Sequence, residues 1–350
     1  ATMSTGPNSA YGLCTSRIKA EDIQHLDLSS WRVAFSGAEP ISVPTIEKFI
    51  KRFEPYGFNP KAFVAGYGMA ENCLAISFME PGEGLKYDSV QRAEFEEHKR
   101  AISADPTQEK NVLSFVSCGK PVKDHEVIIV DENDKILPER TVGEIAMRGP
   151  SMMTGYYQKE YESQKTIRHG WLYTGDLGYF ANGELFIVGR KKEMIIKGGR
   201  NYCPYDMERT AETVPGVRPG NVVAFGVFDE MTGTEKVLVL AEVKPEFYKD
   251  KNSIVSQIAK SVMQSVGIAP DKVVIYPRGF LTKTTSGKLQ RTKYRELYLK
   301  GKLKDKISLR DRFQYFRFRV NLLISMLFYF VSSKIKGARP QGTRSEGKNS

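Results

Sequence analysis

The chain has 350 residues, 41% of them hydrophobic and 27% charged, with a formal charge of +11. That is enough sequence for two or three domains and a sizeable core. The charge is concentrated: from Lys288 to the end there are 17 Lys and Arg against 4 Asp and Glu, so the first 287 residues are slightly acidic and nucleic-acid binding by the whole body is excluded. Early in the chain, "WRVAFSGAEP" (31–40) predicts a short strand running into a small-residue turn. "ISVPTIEKFIKRF" (41–53) follows a Pro start with apolar residues at Ile46, Phe49, Ile50 and Phe53, the spacing of a helix. "FVAGYGMAENCLAISF" (63–78) predicts a strand, a glycine-rich turn and a second apolar segment. Residues 81–111 are polar, without a clear core face, and predict an inserted loop and helix. Residues 112–190 look mostly β, with two apolar runs around an Asn-Asp turn in 125–149.

After a boundary near Lys191 and Lys192 the pattern changes. Helix is predicted at 203–214 and 253–266, and strand at 221–230, 235–245 and 271–277. Together they form an α+β unit of domain size. The last forty residues differ again. "VNLLISMLFYFV" (320–331) is apolar but too short to span a bilayer, which takes roughly twenty residues. Its basic and aromatic flanks suit an interfacial helix, giving a peripheral membrane contact through 312–336; a helix packed on another part of the protein is an equal alternative. Four scattered cysteines and four scattered histidines show no metal-ligand spacing and point to a reducing compartment, the cytoplasm.

One lysine poses a question. Lys288, in "TSGKLQR" (285–291), resembles a phosphate-binding lysine, yet a P-loop is excluded. The glycine before Gly287 is Gly279, and Leu289 stands where a hydroxyl residue is required. An exposed basic loop is the bland reading. Four further signals precede it in order: "SGAEP" (36–40), "GYGMAE" (66–71), "GWLYTGDLG" (170–178), which puts Asp176 in a glycine-framed turn, and "GRKKEMIIKGGRN" (189–201).

In this order and spacing the five segments resemble the adenylate-forming superfamily of acyl-CoA synthetases, luciferases and peptide-synthetase adenylation domains. They are most similar to long-chain fatty acyl-AMP ligases. The resemblance covers nearly all of residues 1–300. It implies a mixed α/β and α+β fold: the C-terminal part of a large domain (1–191, with 81–117 insertion-like), a small mobile α+β domain (192–300) and a basic tail (301–350). The family's Ser/Thr/Gly-rich phosphate loop has no copy here. The chain is therefore expected to be the C-terminal part of a longer enzyme, with little ATP–pyrophosphate exchange of its own.

The resemblance also implies roles. Gly37, Ala38, Glu39 and Pro40 would line the adenine. Gly66, Tyr67 and Gly68 would form the opposite wall, continued by Met69 and Ala70, with Tyr67 stacked on the ring. Glu71 would hold Mg2+, Asp176 both ribose hydroxyls, and Arg190 the ribose or phosphate. Lys192 would be the hinge. Lys288 would bridge the substrate carboxylate and the α-phosphate of ATP, where a cation offsets the repulsion of two anions in a site that excludes water. Read singly, Glu71 also suits a helix cap, Asp176 a plain turn, Lys192 a solvated turn and Cys203 inert packing.

The family's second half-reaction passes the acyl group to a thiol. The 47 residues between Glu71 and Gly119 match the position of the acyl-AMP ligase insertion, thought to restrict the small domain and disfavour coenzyme A. The expected partners are therefore a fatty acid, ATP and an acyl carrier protein's phosphopantetheine thiol, with the basic run after Lys288 meeting an acidic carrier. Coenzyme A as acceptor, or a non-catalytic membrane- or partner-binding module on this fold, are the alternatives.

Overall fold

The computed structural model describes residues 1–109, 111–284 and 289–303. Lys288 and nearly all of the basic tail therefore lie outside the described residues. The chain begins with strand, helix, strand, helix, strand. Met3–Gly6, Val33–Ser36 and Phe63–Met69 pair side by side in parallel, extended by antiparallel Leu74–Phe78 and the short Lys120–Pro121. The connecting helices Asn8–Arg17 and Val43–Phe53 pack on one another. The second has the expected apolar stripe: Ile46, Phe49 and Phe53 are buried, and Phe49 meets Tyr11, Trp31 and Phe58 edge to face. Burying each such side chain contributes about 1.5–3 kcal/mol. The register places the ends of Val33–Ser36 and Phe63–Met69 on the same sheet edge. Ligands in open parallel sheets bind outside such carboxyl ends.

A second sheet is antiparallel. Its strands are Glu126–Val130, Gly143–Arg148, Ile167–Arg168, the eleven-residue Trp171–Ala181 and Glu184–Arg190. Asn182 and Gly183 both adopt positive φ between Ala181 and its partner Glu184. This is the two-residue hairpin that an Asn-Gly pair favours.

Residues 81–111 depart from the expected loop and helix. Tyr87–Gln91 is a strand, paired with Val112–Val116, and only Arg92–His98 is helical. Nor does the segment lack a core face: Val90, Phe95 and Ala101 are buried against Leu113, Tyr179 and Phe186. The apolar residues are too sparse to show a period, because the sheet beside them supplies most of the apolar surface.

Beyond the 3-10 turn Lys191–Glu193, a small hairpin (Ile195–Lys197 with Arg200–Tyr202) leads into a three-stranded sheet of Val217–Asp229, Thr234–Val243 and Lys272–Tyr276. Helices Pro204–Glu212 and Lys251–Val266 contribute Met207, Ala211, Ile254, Ile258 and Val262 to one of its clusters. Helix Arg291–Leu299 contributes Tyr294 to another. Among the described residues no helix is long and apolar enough to cross a membrane.

Candidate nucleotide site

Two loops meet where the parallel strands end. Gly37 to Pro40 follow Val33–Ser36, with Ala38 held at φ 67°. Gly66 to Met69 form the end of the neighbouring strand, and Ala70 and Glu71 begin a 3-10 turn. The loops touch: a Cβ added to Gly37 would lie 2.9 Å from the Gly66 carbonyl oxygen. At Gly68 a Cβ would fall 1.7 Å from the Leu74 carbonyl oxygen, so no side chain fits there without moving the backbone. Small residues keep this edge open to a flat group. The Glu39 carboxylate accepts the Ser9 backbone N–H at 2.5 Å, which ties the loop to the start of helix Asn8–Arg17.

Asp176 reaches the same place from the second sheet. It does not sit in a free turn. It lies within Trp171–Ala181, pairs across the ladder with Arg190, and follows Gly175 at φ 71° where the register shifts. The glycines that suggested a loop mark an irregularity inside a long strand. Asp176 is buried; Oδ2 accepts the Tyr67 hydroxyl at 2.7 Å, and Oδ1 lies 3.4 Å from Arg190 Nε. The Arg190 side chain is largely exposed at the rim. Tyr67 is thus committed through its hydroxyl to the acid. Burial and the neighbouring Asp176 hold its phenol well above the usual value, so it remains a donor.

Glu71 follows in the 3-10 turn Ala70–Asn72. Its carboxylate accepts the Tyr156 hydroxyl at 2.8 Å, and its carbonyl accepts Met153 N–H at 2.7 Å. A single carboxylate suits magnesium that arrives on nucleotide phosphates and keeps most of its waters. Among the described residues no group of three or more His, Cys, Asp or Glu could hold a metal ion. Lys192 is exposed in the Lys191–Glu193 turn. The sheets thus bring together Gly37 to Pro40, Gly66 to Glu71, Asp176 and Arg190. Lys192 stands apart from these contacts, and Lys288 lies outside the described residues.

Several residues beside this arrangement gave little or no signal in the sequence. Tyr156 is one. Arg291 is another, although it closes the very segment that carries Lys288. Arg291 is bidentate to Glu208 at 2.7 and 2.6 Å and reaches Glu193 in the Lys191–Glu193 turn at 2.6 Å. Burial pushes the Glu208 carboxyl up, while the two carboxylates hold the guanidinium charged. Tyr205 crosses to the first loop, donating to the Pro40 carbonyl at 3.0 Å. Arg200 pairs with Glu97, and Asn201 Nδ2 donates to the Glu96 carbonyl at 3.3 Å, which fastens the Arg200–Tyr202 strand to helix Arg92–His98. These partners lie 83 to 165 positions apart, so only the fold reveals them.

A fold with two glycine-edged loops at a parallel sheet edge, facing an Asp from an antiparallel sheet, is that of an adenylate-forming protein. Residues 1–157 match the family model described as AMP-binding enzyme, and residues 192–308 match the Disco-interacting protein 2-like AMP domain. Over these two stretches the chain is similar to AMP-binding, adenylate-forming enzymes. It is similar to the medium-chain-fatty-acid–acyl-carrier-protein ligase JamA of Moorena producens, with 39% identity over 86% of this chain and 53% of that protein. A putative acyl-CoA synthetase of Caulobacter vibrioides is 35% identical over 86% of this chain and 52% of its own length. Among solved structures, one from a study of fatty acyl-adenylate ligases from E. coli and L. pneumophila superposes with a TM-score of 0.78 at 33% identity, covering 85% of this chain and 53% of that one. The chain spans about half the length of the curated relatives it matches.

Proposed function

We propose that the protein to which this chain contributes activates a fatty acid with ATP and hands the acyl group to the phosphopantetheine thiol of an acyl carrier protein. In the first step a carboxylate oxygen attacks the α-phosphorus, the bond to pyrophosphate breaks, and acyl-AMP forms. In the second the thiol sulfur attacks the acyl carbon and AMP leaves. Gly37, Ala38, Glu39 and Pro40 line one side of the adenine, with Gly66, Tyr67, Gly68, Met69 and Ala70 opposite. Tyr67 serves chiefly by orienting Asp176, which accepts the ribose hydroxyls. Arg190 is the cation at the rim. Glu71 would hold magnesium accompanying ATP, whose charge would screen the phosphates.

Lys288 supplies the cation between carboxylate and phosphate. It arrives by rotation of the small unit (192–300) about Lys192 against the first (1–191). No general base is required, since a fatty acid is already ionised at neutral pH. The upstream half supplies the grip on the triphosphate, so the 350 residues alone exchange pyrophosphate weakly or not at all. The protein works in the cytoplasm, and residues 312–336 add a peripheral membrane contact. Liposome flotation with and without residues 311–350 tests that contact.

The observation that carries the reading is the convergence of the Gly37 loop, the Gly66–Glu71 segment and the Tyr67–Asp176 pair at one sheet edge. The likeness to fatty-acid ligases supports the acid as substrate, and the likeness to JamA supports a carrier as acceptor. A coenzyme A acceptor is the second reading, favoured by the likeness to the Caulobacter protein. The test supplies the protein, upstream half included, with ATP, fatty acids of graded length and either holo carrier protein or coenzyme A. Acyl-carrier should accumulate. Efficient acyl-CoA formation instead would assign the acceptor to coenzyme A, and no acyl-AMP with any acid would overturn the activity.

A further inference from the structure

Glu71 and its neighbour Asn72 are held at three points by the segment after Gly149. Met153 N–H donates to the Glu71 carbonyl, and the Tyr156 hydroxyl to its carboxylate at 2.8 Å. Ser151 Oγ donates to Asn72 Oδ1 at 3.1 Å, and the buried Asn72 closes its own turn by donating to the Ala75 carbonyl at 2.7 Å. Ser151 is backed by His125, whose Nε2 lies 2.6 Å from Oγ and whose Nδ1 lies 2.9 Å from the Lys123 carbonyl. Tyr156 is itself anchored: its backbone N–H donates to Ser163 Oγ at 2.7 Å, on helix Glu160–Thr166. A glutamate side chain has three free torsions, and meeting a cation productively requires that they be fixed beforehand.

We propose that Tyr156 is the positioning residue for the Glu71 carboxylate, fixing the oxygen that it presents to the cation accompanying ATP. The inference rests on the reading of Glu71 as the magnesium carboxylate. One feature supports it. The phenol donates to a single carboxylate oxygen, Oε1, so the other is not consumed by this bond. The hydrogen bond therefore selects an orientation of Glu71 without removing its charge.

The experiment uses the protein with its upstream half and three variants, Tyr156→Phe, Glu71→Gln and Ser151→Ala. Mn2+ is the probe, its free concentration read by electron paramagnetic resonance with a non-hydrolysable ATP analogue present. AMP affinity without metal is measured in parallel. Tyr156→Phe should weaken Mn2+ about tenfold, the scale of one hydrogen bond to a charged group, and should raise the Mg2+ requirement of pyrophosphate exchange similarly. Its AMP affinity should stay within twofold of the parent, and Ser151→Ala should show a smaller loss in the same direction. If Glu71→Gln loses Mn2+ affinity while Tyr156→Phe does not, the positioning role is overturned and the Glu71 reading stands. If Tyr156→Phe loses AMP and Mn2+ affinity equally, Tyr156 only holds the fold. If Glu71→Gln binds Mn2+ as well as the parent, the Glu71 reading falls and the inference with it.

Discussion

The Tyr67 hydroxyl donates to Asp176 Oδ2 at 2.7 Å, joining residues 109 positions apart and from two different sheets. The contact fixes one oxygen of a buried acid, while the other lies beside the rim cation Arg190. On the proposed reading Asp176 accepts both ribose hydroxyls, and such an acid gains from being oriented before they arrive. Tyr67→Phe removes only the hydroxyl and keeps the ring packed against the cluster of Ile76, Met147 and Leu172. A hydrogen bond to a charged group is worth about 1.5–3 kcal/mol. With the upstream half present, AMP affinity measured by calorimetry should fall at least tenfold. Unchanged affinity would mean that Asp176 does not depend on Tyr67 for its aim.

Arg291 should be among the most expensive residues to truncate. Its guanidinium is mostly buried between Glu208 and Glu193, and Glu208 also accepts the Ala224 backbone N–H at 2.9 Å. Removing the cation leaves two acids facing each other, one buried beneath the small sheet. Breaking a buried pair on one side costs about 3–5 kcal/mol. Arg291→Ala should therefore lower the urea midpoint sharply, whereas Arg291→Ala combined with Glu208→Gln should recover part of the loss. Equal stability of the single and double variants would show that Glu208 is not penalised by losing its partner.

Glu212 sets a pH dependence with a definite sign. Burial raises its carboxyl from 4.5 to about 7, against the opposing Gly220 N–H donated at 2.7 Å and the opposing charges of Lys283 and Arg209; Glu208 adds to the rise. The folded state then holds a proton that the unfolded chain has released. Stability contributed by this group is complete below pH 4.5 and is lost as pH rises toward 7, by no more than about 3 kcal/mol. Glu212→Gln keeps an acceptor for Gly220 and removes the titration. Chemical denaturation at pH 5.5 and 8 should show the variant gaining on the parent as pH rises. A constant difference between the two would contradict the raised carboxyl.

What could be read from residue order was the set of local elements and the short glycine-framed segments. Helix Val43–Phe53 and strand Thr234–Val243 follow directly from spacing, because one packs a stripe and the other is buried along most of its length. Asp176 was visible as a residue but not as part of a long strand. Gly175 and Gly178 read locally as a turn, and only pairing with Gly143–Arg148 and Glu184–Arg190 keeps the chain extended through them. The fold of residues 81–111 was illegible for a similar reason, since Val90 and Phe95 find their apolar partners on Tyr179 and Phe186. Tyr156 and Arg291 had no pattern to betray them. Each works through one distant carboxylate, and a single Tyr or Arg carries no periodicity.

The contact between helix Arg92–His98 and the Arg200–Tyr202 strand offers a test of the proposed acceptor. Arg200 pairs with Glu97, Asn201 reaches the Glu96 carbonyl, and Arg92 pairs with Glu96 at 2.9 Å within the helix. Asp206 of the following helix lies close enough to Glu96 to be felt there, and burial raises both carboxyls. This cluster ties the inserted segment to the first strands after Lys192. On the proposed reading this tie limits rotation of the small unit and disfavours coenzyme A, so weakening it should admit that acceptor. Arg200→Glu puts like charges opposite Glu97, and an exposed pair of this kind is worth about 0–1 kcal/mol, so the fold should persist. In competition between holo carrier protein and coenzyme A, the variant's acyl-CoA share should rise several-fold while pyrophosphate exchange stays near the parent rate. An unchanged product ratio together with an unchanged exchange rate would show that the inserted helix does not govern acceptor choice through this contact.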